Sequence, residues 1–266
     1  MRALGIIAGS GQLPFVAAAE ARAQGLRVVA VGVQGETDPD LAARVDAMHW
    51  VRLGQLGAAT RALRSEQVEE AVLLGRVAIT HLFSRMRPDL MAARVLLRAR
   101  DRRGDSILAA AVEVLEEAGI RILETPRFLT SLLVPAGRLT RRGFSRTEEQ
   151  DVRFGREIAR QIARLGIGQT VVVKRGTILA VESVEGTDAA IRRGGELGRG
   201  GVVVVKVARA DQDLRFDLPT IGKETLRALE AARATALALD AGRSLLLDRE
   251  QFVAGAEGLD LAVAAE

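Results

Sequence analysis

LGIIAGSGQLPFVAAAEARAQGLRVVAVGV, residues 4–33, carries a complete strand–turn–helix–strand pattern. Leu4–Ala8 is a short apolar run, and a glycine-rich turn follows it directly. Pro14 then stands in the first turn of a helical stretch, where the missing proline N–H costs nothing. Arg27–Val33 is a second apolar run. This order predicts the opening of a βαβ unit, in which the two strands lie parallel in one sheet.

The turn after the first strand has two interpretations. Its backbone N–H groups and the helix N-terminus could bind an anion, which gives four candidate substrate-binding residues: Gly9, Ser10, Gly11 and Gln12. Alternatively, glycine is there only to form the tight turn. The dinucleotide fingerprint requires a third glycine, and none follows Gly11 at the required spacing. The sequence therefore argues against a nicotinamide cofactor.

Strand-like and helical segments alternate through the rest of the N-terminal half. We predict strands at 47–53, 70–77 and 120–124, and helices at 57–65, 88–102 and 105–118. Such alternation is typical of an α/β fold with a Rossmann-like parallel sheet and helices on its faces. Val134-Pro135-Ala136-Gly137 interrupts the pattern. We therefore predict an N-terminal Rossmann-like domain at 1–134 and a C-terminal α/β domain at 135–266.

The C-terminal half contains both helical and strand-like patterns. Glu148–Leu165 is amphipathic and predicts a helix, and residues 170–173 and 178–183 predict a β-hairpin around the turn Lys174-Arg175-Gly176. Val202–Val207 predicts a buried strand. We further predict a short helix after Asp188, a helix at Thr225–Leu239, a strand at 244–247, a short helix from 248 and a last strand at 259–263.

KVARADQDLRFDLPTIG, residues 206–222, is the most highly charged loop that follows a predicted strand. It holds three acids, Asp211, Asp213 and Asp217, and three cations, Lys206, Arg209 and Arg215. Carboxylates suit a hard divalent cation, and arginine and lysine suit phosphate. The alternative is a solvated turn whose charges compensate one another. Apolar residues are interleaved with the charges, which favours a loop fixed against a core: Phe216, Leu218, Pro219 and Ile221.

Glu185-Gly186-Thr187-Asp188 follows the second strand of the hairpin. Thr187 is a suitable N-cap, and capping by itself explains a Thr-Asp pair at the start of a helix. The functional interpretation is a second anion or metal site directly after a strand. The sequence leaves these two interpretations evenly balanced.

Composition excludes several classes of function. The chain has no cysteine, so it has no disulfide and no thiol nucleophile, and His49 and His81 are too far apart to form a metal pair, so each is an ordinary surface or packing residue. One tryptophan and no tyrosine argue against nucleic-acid binding. A net charge of +4 favours anionic partners. No apolar run reaches the roughly 18 residues of a spanning helix, so we expect a soluble or peripheral protein, and the lack of cysteine is consistent with the cytoplasm.

Five segments together resemble the LpxI family of UDP-2,3-diacylglucosamine pyrophosphatases from lipid A biosynthesis. They are GIIAGSGQLP at 5–14, RGDSILAA at 103–110, GQTVVVKRGTILAVESVEGTDAAIRR at 168–193, KVARADQDLRFDLPTIG at 206–222 and LLLDRE at 245–250. The resemblance covers nearly the whole chain in order and spacing. EGTD and DLPTIG are its specific parts.

The resemblance implies a Mg²⁺-dependent hydrolase that releases UMP and 2,3-diacylglucosamine 1-phosphate, with the glycolipid held between two domains at the inner-membrane face. It implies Asp217 as the catalytic acid, and Asp188, Asp213 and Asp217 as metal ligands. Further substrate-binding candidates in the matching segments are Gly186, Thr187, Asp188, Lys206, Gln212, Arg215, Thr220 and Gly222. It also implies peripheral contact with an anionic membrane, and it leaves a homo-oligomer open.

Two other classes of function remain open on the sequence. One is a nucleotide-sugar transferase or oxidoreductase that uses the N-terminal α/β domain. The other is a protein that carries a nucleotide or an acyl glycolipid without turnover. Release of UMP without an acceptor separates the hydrolase from both.

Overall fold

The chain folds into two compact units. The computed structural model describes residues 2–75, 88–101, 104–209, 212–216 and 218–266, with Asp105 described by its backbone alone. Contacts assign residues 1–130 and 214–217 to one unit, the N unit, and residues 131–213 and 218–266 to the other, the C unit. The domain limits 1–134 and 135–266 stay a prediction. That prediction did not include the return of residues 214–217 to the N unit.

The N unit contains a five-stranded parallel sheet. Its strands are β1 (Ala3–Ala8), β2 (Arg27–Val33), β3 (Ala47–Val51), β4 (Glu70–Leu74) and β5 (Arg121–Ile122). Their order in the sheet is β3-β2-β1-β4-β5. The strand order therefore reverses between β1 and β4, and the carboxyl ends of strands at such a point are where doubly wound sheets bind ligands.

Helices follow the strands of this sheet. They are α1 (Leu13–Ala23), α2 (Leu56–Ser65), α3 (Leu90–Arg98) and α4 (Gly104–Glu117). Leu63 of α2 and Leu115 of α4 are fully buried in one apolar cluster with Val29 and Val31 of β2. The predicted βαβ opening and Rossmann-like sheet are confirmed.

Residues 214–216 complete the N unit from far along the chain. The backbone N–H and the hydroxyl of Thr125 both donate to the carbonyl of Leu214, at 3.0 and 2.9 Å. Phe216 packs against the apolar cluster that contains Leu63 and Leu115. The apolar residues that the sequence interleaves with charge therefore fix this part of the loop against a core.

The C unit contains a six-stranded mixed sheet. Its strands, in the order β6-β13-β11-β9-β7-β8, are β6 (Gly137–Arg138), β13 (Ala262–Ala265), β11 (Ala234–Leu239), β9 (Val202–Lys206), β7 (Thr170–Lys174) and β8 (Thr177–Val181). β9, β11 and β13 are parallel, whereas β7 runs antiparallel to β9 and to β8. Two short strands, β10 (Thr220–Ile221) and β12 (Leu245–Leu246), pair separately.

Helices cover both faces of the six-stranded sheet. They are α5 (Arg146–Arg164), α6 (Thr187–Gly198), α7 (Lys223–Ala231) and α8 (Arg249–Gly258). Alternate residues of β11 enter two different apolar clusters: Ala236 and Ala238 join the one that includes α5, and Leu237 and Leu239 join the one that includes α7 and α8. The sheet is therefore the middle layer of the C unit, as an α/β domain requires.

The predicted helix Thr225–Leu239 is wrong in its second half. The helix ends at Ala231, Arg233 takes a left-handed conformation with φ of 46°, and β11 begins at Ala234. A strand covered on both faces needs no apolar–polar alternation. The alanine-rich sequence of β11 therefore shows no strand period, and helix propensity alone misassigned it.

The start of α5 is fixed by a fully satisfied acid. Ser145 and Glu148 form a capping box, and Arg142 donates two hydrogen bonds to the Glu148 carboxylate, each at 2.9 Å. Burial by itself would raise the pKa of Glu148. Hydrogen bonds from Arg142, Ser145 and Thr235 outweigh burial and lower that pKa to about 2. Glu148 is therefore an ionised structural acid.

Across the part of the chain that the structure describes, no helix is both long enough and apolar enough to cross a bilayer.

Candidate functional site

Three strand ends of the C unit meet around one buried lysine. Lys206, the last residue of β9, is 3% exposed. It lies opposite Thr170, the first residue of β7. The antiparallel hairpin brings Val181 of β8 opposite Val171. The end of β8, and Glu182 directly after it, therefore reach the same end of the sheet as Lys206.

A chain of hydrogen bonds connects the lysine to an acid. Lys206 Nζ donates to Thr187 Oγ1 at 2.7 Å, and the Thr187 hydroxyl donates to Glu182 Oε1 at 2.7 Å. The other Glu182 oxygen accepts from the backbone N–H of Gln169 at 3.3 Å. Glu182 is 8% exposed. A buried ammonium needs a counter-charge, and here the charge of Glu182 reaches Lys206 through the Thr187 hydroxyl.

Thr187 is not the N-cap of α6, so the capping interpretation is wrong. The N-cap is Gly186, with φ of 81° and ψ of 169°, and no side chain caps the helix. This region of backbone conformation is open almost only to glycine. Thr187 is instead the first helical residue, and its hydroxyl is used by Lys206 and Glu182.

The other acid of this turn has a structural role. Glu185 accepts from the backbone N–H of Ser183 at 3.2 Å and pairs with Arg193 on α6. Hydrogen bonds from the backbone of its own turn, and then Arg193, lower the pKa of Glu185. Glu185 therefore holds the turn that presents Thr187 and Asp188.

Asp188 has an oxygen that the protein leaves unused. Its Oδ1 is fully covered and, among the described residues, accepts no hydrogen bond. The amide nitrogen of Gln212, in the loop after β9, is likewise covered and without a described acceptor. A buried polar atom without a partner costs about 1–3 kcal/mol. Asp188 follows Thr187, the hydroxyl partner of the buried Lys206, so an unsatisfied atom there is compatible with a bound group.

The loop after β9 starts from a second buried ion pair. Arg156 of α5 donates to Asp240 Oδ1 at 2.6 Å, and Asp240 Oδ2 accepts from the backbone N–H of Ala208 at 2.9 Å. Further along, the backbone N–H of Arg209 donates to the Gln212 side-chain oxygen at 3.2 Å. These bonds fix the direction in which the chain leaves Lys206.

The glycine turn of the N unit lies at the carboxyl ends of β1 and β4. The Gly9 N–H donates to the Leu74 carbonyl at 2.8 Å, and α1 begins at Leu13 with no acidic side chain in its first turn. Gly75 has φ of 92°, and a Cβ there would lie 2.6 Å from the Ser10 carbonyl oxygen. Only glycine lets the two strand ends approach so closely.

The turn is also tied to the strand beside it. The Thr37 hydroxyl donates to the Ala8 carbonyl and accepts from the Val33 backbone N–H at 2.9 Å. One side chain thus joins the ends of β1 and β2. The structure therefore places the turn and the helix N-terminus at the reversal of strand order, and anion binding by this turn stays a prediction.

The remaining predicted residues are distributed as follows. Arg215 belongs to the N unit, where it lies 3.3 Å from Glu116. Asp213, Thr220 and Gly222 belong to the C unit; Thr220 is in β10 and donates to the Leu218 carbonyl at 3.1 Å, and Gly222 is the N-cap of α7. Asp211, Asp217 and His81 lie outside the described residues. His49 contacts Glu66 at 3.0 Å, as an ordinary packing histidine does.

Among the described side chains, no three acids or histidines cluster closely enough to hold a metal ion. The Asp188 oxygen that no described residue bonds is nevertheless the kind of ligand that Mg²⁺ prefers, and Asp188 stands in the first turn of α6. The residues present therefore fit a metal that is completed from outside this set.

Glu182 is the residue of this cluster that the sequence did not single out. Its signal was present: a carboxylate directly after the apolar strand β8 and five residues before Thr187. By itself this pattern indicates only the end of a strand. A buried acid at that place needs a partner, and the partner is supplied by α6.

Comparisons with known proteins agree along the whole chain. The model of the LpxI N-terminal domain matches residues 3–132, and that of the LpxI C-terminal domain matches residues 135–264. The UDP-2,3-diacylglucosamine pyrophosphatase LpxI of Caulobacter vibrioides is 34% identical over 274 aligned positions, which cover 99% of this chain and 97% of that protein.

Solved structures give weaker matches. N5-carboxyaminoimidazole ribonucleotide synthetase from Thermotoga maritima is 15% identical, with a TM-score of 0.28, over 68% of this chain and 42% of that one. The L-amino acid ligase from Bacillus licheniformis is 15% identical, with a TM-score of 0.27, over 70% of this chain and 40% of that one. The chain spans less than half of each, and these similarities carry no argument about function. The two domain matches and the full-length relative show that the chain belongs to the LpxI family.

Proposed function

We propose that the protein hydrolyses the pyrophosphate bond of UDP-2,3-diacylglucosamine to 2,3-diacylglucosamine 1-phosphate and UMP. The relative of that name aligns with 99% of this chain, so both domains and the order of their motifs are shared. The structural observation that supports the proposal most directly is the unused Asp188 oxygen beside the Lys206–Thr187–Glu182 chain. It places an unsatisfied acid one residue from Thr187, the hydroxyl partner of a buried cation, and a phosphate with its metal would use both charges.

The residues around Lys206 and the acids identified in the sequence have distinct tasks in this proposal. Lys206 supplies a positive charge, and Glu182 is connected to it through the Thr187 hydroxyl. Glu182 therefore positions Thr187 and Lys206, and it does not touch the substrate. Asp188, with Asp213 and Asp217, would hold Mg²⁺. When bound, that ion would neutralise charge on the pyrophosphate oxygens.

The proposal also assigns the phosphorus that is attacked. The oxygen of water bonds to the phosphorus beside the sugar while the bond from that phosphorus to the bridging oxygen breaks. UMP leaves with the bridging oxygen, and the water gives up a proton. The candidate acids Asp188 and Asp213 lie in the C unit, which supports an attack directed by that unit.

Incubation with UDP-2,3-diacylglucosamine and Mg²⁺ tests the reaction. UMP released without an acceptor supports hydrolysis, and stoichiometric binding without product would instead identify a carrier. Chelation should stop turnover, and added Mg²⁺ should restore it. In ¹⁸O-labelled water, the label should enter the glycolipid phosphate; label in UMP would move the attack to the uridine side.

A membrane is the expected source of this substrate. Because the chain has a net charge of +4, we propose that it binds anionic bilayers reversibly from the cytoplasmic side. Salt should weaken this binding. Flotation with phosphatidylglycerol and phosphatidylcholine vesicles measures it. Equal binding to both vesicles at low salt would remove the electrostatic contribution.

A further inference from the structure

A second basic site lies on α5, at the same end of the sheet as Lys206: Arg156 donates to Asp240, which directly follows Leu239, the residue opposite Lys206. Arg153, Arg156, Arg160 and Arg164 form an arginine cluster with helical spacing of three, four and four residues, which places them on one face. They line a cavity of about 370 Å³, together with Glu157, Gln161 and Glu266. This volume is in the range of small-molecule sites.

Most of the positive charge of the arginine cluster has no acidic partner nearby. Among the described residues, no acid lies within ion-pair distance of Arg153, Arg160 or Arg164. Some exposed arginines elsewhere are paired, as Arg141 is with Glu257, whereas others, such as Arg146, have no acid within ion-pair distance among the described residues. Three guanidinium groups without an ion-pair partner within about three turns of one helix repel each other, and a bound anion would relieve that repulsion.

Arg156 gives an independent observation at the same place. It is 8% exposed, and it lines the cavity. Its terminal nitrogens face Asp240, the Leu239 carbonyl and Glu266, at 2.6, 3.4 and 3.6 Å. Its Nε is covered and has no acceptor among the described residues. A buried guanidinium with an unused donor is incompletely satisfied by the protein alone.

We propose that the arginine cluster binds a phosphate group. Guanidinium forks match phosphate oxygens in charge and in geometry, and several forks on one helix face can share one polyanion. The phosphate could belong to a soluble polyphosphate or to a lipid headgroup, and both present the same oxygens. This assignment does not depend on the reaction that the protein catalyses.

The site is connected to the candidate functional site by two hydrogen bonds. Asp240 accepts from Arg156 and from the backbone N–H of Ala208, two residues beyond Lys206. An anion that draws on Arg156 therefore acts on the ion pair that directs the loop after β9. Occupation of the cluster is expected to change kcat more than the KM for the substrate.

The test compares single charge removals on one helix. Arg160→Gln and Arg164→Gln remove cluster charges, and Arg146→Gln removes an exposed arginine from the first turn of α5, outside the cavity. Titration calorimetry with inorganic pyrophosphate and co-sedimentation with phosphatidylglycerol vesicles measure the two sources. Any pyrophosphate that binds at the candidate functional site should add the same heat signal in all three variants, so differences between them report on the arginine cluster.

Loss of one charge-assisted pair should weaken binding roughly tenfold in the cluster variants relative to Arg146→Gln. A loss seen with pyrophosphate supports a soluble ligand, and a loss confined to vesicles supports a headgroup. Equal binding by all three folded variants in both measurements would overturn the proposal. Melting temperatures establish folding, and Arg153→Gln provides a further cluster variant should one of the others unfold.

Discussion

The glycine turn of the N unit and the polar cluster of the C unit represent two different ways to present a site. The turn at Gly9 is surrounded by backbone atoms, and its shape depends on the absence of a side chain at Gly75. The cluster around Lys206 is made of buried side chains that join three strand ends and a helix. Substitutions that add atoms should therefore damage the first, and substitutions that remove charge should damage the second.

The largest effect is expected for Asp217→Ala. If the acids of the C-terminal half carry the chemistry, removal of this carboxylate should lower kcat by at least about 10³-fold with little change in fold. Steady-state release of UMP and circular dichroism measure the two quantities. Glu113→Ala, an exposed acid on α4, is the matched control. Near-normal kcat in folded Asp217→Ala protein would contradict the role assigned to this residue.

Asp188→Asn tests the polar cluster without a change of volume. The amide keeps the shape of the carboxylate and loses its charge, so we expect kcat to fall about 10²-fold while the protein stays folded. Glu196→Gln, an exposed change on the same helix, should have no effect. If Asp188→Asn turned over normally and only lost stability, the unused oxygen would be a packing feature and the comparison would fail.

Gly75→Ala tests the glycine turn. The new Cβ would meet the Ser10 carbonyl, and the residue would keep φ of 92°, so we expect a loss of about 3 kcal/mol in the unfolding free energy of the N unit. Trp50 is the only tryptophan and lies in β3, so its fluorescence in urea follows this unit.

Gly11→Ala is the control for that experiment. Residue 11 has φ of 98° but open space around a Cβ, so only the backbone strain of about 1 kcal/mol should appear. Equal losses in the two variants would show that strain decides the effect, and that close approach of the strand ends does not.

The smallest effect is expected for the pH dependence of stability that Glu148 causes. Glu148 is a structural acid, and it serves as a reference for the acids of the polar cluster. Its pKa in the folded protein is about 2, below the ordinary 4.5, so its stabilisation is present above pH 4.5 and is lost as pH falls towards 2. After allowance for solvent screening, the loss is about 2 kcal/mol. Circular dichroism at increasing urea and a series of pH values measures it. Glu148→Gln should lack this part of the pH dependence; an unchanged slope would remove the assignment.

The fold could be predicted largely from sequence because its local signals agree. Gly9-Ser10-Gly11 with Pro14 marks a strand-to-helix turn, and the alternation of segments predicts the parallel sheet. The error at β11 has a physical reason. Its alanines contact cores on both faces, so neither a helical nor a strand period is visible, and only the left-handed Arg233 separates α7 from the strand.

The sequence predicts which residue types form the candidate site, but it does not predict the hydrogen bonds between them. Lys206, Thr187 and Asp188 were identified as candidates, but the hydrogen bond between Lys206 and Thr187 depends on the register of β7 against β9. No local pattern encodes that register. Glu182 was missed for the same reason, since its importance comes from contacts across the sheet. The loop 206–222 was treated as one element, although residues 214–217 belong to the other unit.

Because residues 214–217 belong to the N unit, the protein cannot be divided into its two units by one cut in the chain. A gene cut once between the two halves yields an N-terminal fragment without the Leu214 carbonyl that Thr125 binds and without the Phe216 ring that packs on its core. The matching C-terminal fragment would carry that phenylalanine with no core to receive it. Recombination that exchanges one half between relatives must therefore exchange residues 214–217 along with residues 1–130. A single crossover between the two halves would separate the N unit from residues 214–217, which belong to it but are encoded in the C-terminal half.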